Sequence, residues 1–139
     1  VYRKVWEMAA FAGFLMGREV AKRMVTRGHG TIIFTGATAS LRGGKGFSAF
    51  SGAKGALRML AQSMARELGP QNIHVAHVVI DGGIDTEFIR GLRADFDEAK
   101  ALDKVLSPDA IAAQYVELHK QHRSAWTHEL DLRPWAETF

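Results

Sequence analysis

The sequence predicts part of a doubly wound, parallel α/β sheet. Three observations point there. Two apolar runs, "TIIFT" at 31–35 and "NIHVAHVVI" at 72–80, are rich in β-branched residues and do not alternate in polarity, as expected of strands covered on both faces. Helical patterns of more than a dozen residues flank them, long enough for crossovers between parallel strands. The resulting order, α-β-α-β-α-α-β, gives about three strands with flanking helices in a single domain over 1–139.

Each element carries its own signal. From about Arg3 to Arg27 the pattern is helical, with Val5, Met8, Phe11, Leu15 and Met24 near one stripe. Trp6, Ala10 and Phe14 widen that stripe almost to the full circumference, so the helix is expected to be buried against more than one neighbour. Gly13 and Gly17, four apart, would either let another backbone approach closely or be tolerated breaks, and Gly28 and Gly30 end the helix. After the first strand, the loop "ATASLRGGKG" leads to a second helix over about 48–68. Its stripe is Phe50, Ala53, Leu57, Leu60, Ala61, Met64 and Leu68, and Gly69-Pro70 stops it. The second strand ends in the turn "DGG". Residues 84–106 are charged and weakly periodic, suiting one or two short helices. Ser107-Pro108-Asp109 is a good helix start: a hydroxyl cap, proline in the first turn and an acid at the positive end of the dipole. That helix runs to about His122. "WTHELDL" at 126–132 alternates, as a strand with one wetter face does, and Pro134 closes it.

Composition narrows the class. The chain has 139 residues, 47% hydrophobic and 24% charged, within the range of soluble globular domains. It has no cysteine, which excludes disulfides and thiolate metal sites. No charged leader opens it, and the apolar-rich run 5–16 is too short to span a bilayer, so a soluble cytoplasmic protein is expected, with no membrane partner. The net charge of +3 is uneven: residues 1–66 carry eleven Lys/Arg against two acids, and 67–139 carry seven against thirteen. The basic residues are spread along two helical patterns rather than clustered with aromatics, which argues against nucleic acid as a partner. "GGKG" at 43–46 is no phosphate loop, because Ala39 stands where the leading glycine belongs and Gly46 where a hydroxyl is needed. His119 and His122, three apart on one helix, lack a third ligand; His74 and His77 point to opposite faces of a strand. No metal site is expected.

The stretch "GTIIFTGATASLRGGKGFSAFSGAKGALRMLAQSMARELGPQNIHVAHVVIDGGIDT" resembles the second half of a short-chain dehydrogenase/reductase. The likeness extends over nearly the whole chain and rests on several features agreeing in order and spacing. They are the strand, a thirteen-residue gap, an aromatic-xxx-Lys helix, the Gly-Pro stop, the next strand and a glycine-rich turn reaching Thr86. The resemblance implies a Rossmann-type sheet, NAD or NADP as cofactor and a small carbonyl or alcohol substrate. It also implies homo-oligomers packed through helices 3–27 and 48–68. The family's glycine-rich, nucleotide-binding first half is absent from this chain, so cofactor binding by the chain alone is not expected.

The departures from the family pattern concern its chemistry. The family's proton-donating tyrosine falls on Phe50, its substrate-binding serine on Ala37, and the asparagine of the preceding helix on Ala9. Lys54 is retained, and the family role it implies is a hydrogen bond to the cofactor ribose. Thr86 matches a threonine whose family neighbours touch the nicotinamide, while Asp81 stands where proline is usual. Hydride transfer to a carbonyl builds negative charge on oxygen, which needs a proton and donors. Losing a general acid costs ~10²–10⁴ in rate and losing an oxyanion donor ~10²–10³, although such losses do not simply multiply. Thr35, Thr38 and Ser40 offer hydroxyls nearby. Thr38 is a possible substitute donor, but capping of local backbone is the favoured expectation.

The first strand reads as central, yet its outer neighbours are missing, and a bare "IIF" edge invites association. The chain is therefore expected to belong to a longer polypeptide or to pair with a second copy. Two functions follow: an atypical short-chain oxidoreductase, or a non-catalytic relative that assembles through its two long helices.

Overall fold

The computed structural model describes residues 1–139. The chain opens with one long helical rod. Helix α1 (Tyr2–Trp6) passes through a π-helical turn, Glu7–Phe11, into α2 (Ala12–Arg27), which Gly28 ends in the left-handed conformation at φ 83°. Strand β1 (Gly30–Ala37), helix α3 (Ser48–Leu68) and strand β2 (Ile73–Ile80) follow. Two short helices, α4 (Glu87–Leu92) and α5 (Phe96–Ala101), precede α6 (Pro108–Lys120) and strand β3 (Glu129–Leu132).

The three strands form one parallel sheet in the order β1-β2-β3. Gly30 pairs with Ile73 and Ala37 with Ile80; His77 pairs with Glu129 and Ile80 with Leu132. Every residue of β2 is buried, as expected of a middle strand covered on both faces. On one face Ile32, Phe34, Ile73 and Val75 pack under Leu57, Ala61 and Met64 of α3, with Val20, Ala21 and Met24 of α2 at the margin. On the other, Ala76, Val78 and Ile80 pack against Leu118 of α6 and Leu106. This is the expected Rossmann-type arrangement of three strands with flanking helices. No helix is long and apolar enough to cross a membrane.

Helix α3 begins and ends where the sequence pattern placed it, and Ser107 caps α6 by accepting from the Ala110 amide at 3.3 Å. Three expectations need correction. First, the stripe Val5, Met8, Phe11, Leu15 and Met24 is not the inward face of the first helix: Met8 is 79% exposed, and Phe11 and Leu15 are also exposed. Small residues turn inward instead. A Cβ on Gly13 would meet Leu57 Cδ1 at 2.5 Å, and one on Gly17 would meet Met64 at 3.0 Å, so α3 side chains and the Phe34 ring fill the space the glycines leave. The rod is thus covered on one side only; Val20 and Met24 pack inward near its end, while Trp6, Met8, Phe11, Phe14, Leu15 and Met16 are exposed. Second, β1 is covered fully on one face, by Ile32, Phe34 and Gly36, while Thr31 and Ile33 are half-buried and Thr35 is exposed. Its outer edge has no partner strand in this chain. Third, the last ladder begins at Glu129 rather than Trp126, because Trp126 stacks on the His74 ring at 4.8 Å instead of joining the sheet.

Candidate active site

The carboxyl ends of β1 and β2 open into a cleft of about 960 Å³, the place where open α/β sheets bind ligands. One wall is the 3₁₀ turn Thr38–Ser40 with the start of α3; the other is the turn after β2 with α4. Phe50, Lys54, Ala37, Thr38 and Thr86 all line it. Ala9 does not: it is half-buried in the π-helical turn and does not line the cleft.

Lys54 stands one turn beyond Phe50 on α3. Its Nζ donates to the Thr35 carbonyl at 2.9 Å and lies 5.7 Å from the centre of the Phe50 ring. Burial lowers its pKa, since a partly desolvated ammonium is penalised. One of its three N–H groups is used by Thr35; two remain for a ligand. Ala37 carries only a methyl group to the cleft. Thr86 caps α4, accepting from the Ile89 amide and donating to the Ile84 carbonyl, both at 3.3 Å.

Thr38 does not cap local backbone, as the sequence suggested. Its hydroxyl donates across the cleft to Asp81 Oδ1, from the end of β1 to the end of β2. The parallel register explains the pairing: Ala37 lies opposite Ile80, and Thr38 and Asp81 are the next residue of each chain segment. Asp81 is only 5% exposed, its amide donates to the Leu132 carbonyl at 2.8 Å, and Oδ2 lies 3.4 Å from Arg133 Nε. In the sequence Asp81 is only an unusual residue, because its partner lies 43 positions away and is brought beside it by the strand register.

A second polar cluster supports the site from behind. Arg58, one turn after Lys54, makes a two-pronged ion pair with Glu129 of β3 at 2.7 and 2.9 Å. His77 Nδ1 donates to the same carboxylate at 3.0 Å. The Arg58 guanidinium lowers the Glu129 pKa; burial lowers that of His77, partly opposed by Glu129. The His77 ring lies against Gly36, where a Cβ would stand 2.6 Å from its Cε1 and 2.7 Å from Ser40 Oγ. Ser40 Oγ in turn accepts from the Ala37 amide at 3.0 Å, holding the turn that carries Thr38. Neither Arg58 nor Glu129 stood out in the sequence, because nothing local links positions 71 apart.

A family model described as short chain dehydrogenase matches residues 1–97. The chain belongs to the short-chain dehydrogenase family. Among curated proteins, the chain is 29% identical over 102 residues to 2-dehydro-3-deoxy-D-gluconate 5-dehydrogenase of Pseudoalteromonas atlantica, covering 73% of the chain and 40% of that protein. Among solved structures, it resembles a short-chain dehydrogenase from Rhodopseudomonas palustris at 50% identity and a TM-score of 0.76, covering 96% of the chain and 52% of the other. It also resembles 4-hydroxyisoleucine dehydrogenase complexed with NADH, at 28% identity and a TM-score of 0.81, covering 97% and 59%. The chain thus spans about half the length of these relatives.

Proposed function

We propose that the protein containing this chain is an NAD(P)-dependent oxidoreductase acting on a small alcohol or carbonyl compound, with proton chemistry unlike that of its relatives. The observation that carries the reading is Lys54, held by the Thr35 carbonyl at 2.9 Å with N–H groups free toward the ligand cleft. The donor set suits the nicotinamide end of such a cofactor. Lys54 would hold the ribose hydroxyls, and the 82–86 turn, ending at Thr86, would lie beside the ring. When bound, the cofactor supplies or accepts the hydride. Lys54 orients it, while Phe50, Ile84 and Ile89 keep the cleft apolar and restrict water near the reacting carbon. Phe50 and Ala37 contribute neither a proton nor an oxyanion donor, so ordinary ketone reduction should be slow.

The test is titration of the full-length protein with NADH and NADPH, followed by nicotinamide fluorescence. Binding that weakens on Lys54→Ala supports the reading, and no binding of either cofactor overturns it. Phe50→Tyr combined with Ala37→Ser should raise carbonyl reduction ~10²-fold or more, read as absorbance loss at the reduced-nicotinamide band. A second reading, a non-catalytic relative that assembles through its helices, draws on the outward-facing aromatic side of the 2–27 rod. It predicts self-association with no cofactor binding.

A further inference from the structure

We propose that Thr38 and Asp81 form the proton-transfer pair of this cleft, with Thr38 touching the substrate oxygen and Asp81 receiving its proton. This rests on the oxidoreductase reading above.

Burying a carboxylate is costly unless it is well paired. Asp81 sits at 5% exposure on the turn after β2, where the fold needs only a change of direction. Its side-chain partners are two: the Thr38 hydroxyl on Oδ1, and the Arg133 guanidinium 3.4 Å from Oδ2. Both Thr38 and Asp81 line the ligand cleft, adjacent to Ala37, where the substrate-binding hydroxyl of the family is lost. Of the other polar lining residues, Thr86 caps α4, Ser51 lies 3.4 Å from the Arg42 carbonyl, and Lys54 keeps N–H groups for the ligand beside its bond to the Thr35 carbonyl; Arg42 and Glu137 also line the cleft. Thr38 and Asp81 are the lining residues in which a hydroxyl is hydrogen-bonded to a carboxylate.

The chemistry follows from that order. A substrate alcohol donates its O–H proton to Thr38 Oγ1 as Thr38 passes its own proton to the Asp81 carboxylate. The carbinol C–H bond breaks, its electron pair leaving as hydride for an oxidised nicotinamide, and the C=O bond forms. The products are the carbonyl compound, the reduced cofactor and a protonated Asp81, which releases its proton to water in the open cleft. In the reverse direction the same two protons would run back, from Asp81 to Thr38 and from Thr38 to the carbonyl oxygen.

The experiment uses the full-length protein with NAD⁺ and NADP⁺, Asp81→Asn, Asp81→Ala, Thr38→Val and Thr38→Ser. Cofactor affinity is measured first. Its absence in the unmodified protein overturns the oxidoreductase reading, and this proposal with it. With cofactor bound, trifluoroethanol serves as the alcohol probe, and infrared difference spectra report the hydrogen bonding of carboxylates. A shift of a carboxylate stretching band on trifluoroethanol binding, lost in Asp81→Asn and in Thr38→Val, is expected, because an alcohol on Thr38 alters the bond Thr38 gives Asp81; its absence from the unmodified protein overturns the pair while leaving the cofactor reading intact. Oxidation of a panel of secondary alcohols should fall ~10²–10⁴-fold in Asp81→Asn and Thr38→Val with cofactor affinity kept. Thr38→Ser should recover about tenfold over Thr38→Val, and formate should partly restore Asp81→Ala. Undiminished oxidation by Asp81→Asn, or a folded Asp81→Ala that formate does not help, overturns the proposal.

Discussion

His77 shows how a single buried side chain can tie the site to the pH of its surroundings. Its ring is fully buried, with Nδ1 donating to Glu129 and Nε2 without a partner, and burial depresses its pKa below the ordinary ~6.5. Glu129 and Arg58 face it from β3 and α3, and His128 contributes a further repulsion when charged. A group whose folded pKa is depressed is neutral in the native state at pH values where the unfolded chain already binds a proton. Its stabilising contribution is therefore present above ~6.5 and is lost as pH falls below that value. Urea denaturation between pH 7 and 5 should show stability dropping on acidification, with a shallower slope in His77→Gln. An equal slope in the variant would contradict the assignment to His77. The same ring makes Gly36 irreplaceable in a sterically simple way. A methyl at Gly36 would run into His77 and into Ser40 Oγ, both buried, so Gly36→Ala should cost ~1–3 kcal/mol, read as a lower urea midpoint.

At the scale of elements, what could be read in the sequence depended on whether the deciding signal was local. Helix α3 was legible from Ser48 to Leu68 because its apolar stripe, its lysine spacing and its Gly-Pro stop all lie within one segment. Lys54 and Phe50 were placed in the cleft for the same reason. The 2–27 rod was legible as a helix but not in its orientation, since hydrophobicity alone cannot show that Gly13 and Gly17 face inward to admit Leu57 and Met64. The Thr38–Asp81 contact and the Arg58–Glu129–His77 cluster were not legible at all. They join segments that only the parallel register and the crossover helix bring together. Helix α6 illustrates the legible kind, and its cap has a structural consequence. Through α6, Tyr115 OH reaches Thr35 Oγ1 at 2.7 Å and His119 Nδ1 reaches Thr31 Oγ1 at 2.9 Å, so the helix braces the otherwise thinly covered face of β1. Ser107→Ala removes the acceptor for the Ala110 amide and should cost about 1 kcal/mol, measured by thermal or urea unfolding. Hydrogen exchange should quicken first at Thr31, Ile33 and Thr35; unchanged protection there would show that α6 does not brace the strand.

The molecule as a whole leaves two surfaces that its own residues do not complete. Strand β1 has an unpaired outer edge, and the rod over residues 2–27 turns its aromatic side outward, where Phe11 stacks between Trp6 and Phe14 with ring centres 6.0 and 6.2 Å apart. Leu15, exposed one turn after Phe11, extends that apolar side. Burial of such surface is worth roughly 25 cal/mol per Å², which for several aromatic and aliphatic side chains favours association over solvation. The two surfaces differ in what completes them. An edge strand takes main-chain hydrogen bonds from another strand, which side-chain changes on the helix do not alter; the aromatic side of the helix takes side-chain packing, which charge abolishes. Replacing Phe11 and Phe14 together by glutamate should therefore lower the sedimentation coefficient of the full-length protein toward that of smaller species. The circular-dichroism spectrum should stay the same, since both residues are exposed in the single chain. A species of unchanged mass would mean that association, where it occurs, runs through the sheet edge or another surface, and that the outward aromatic row serves no assembly.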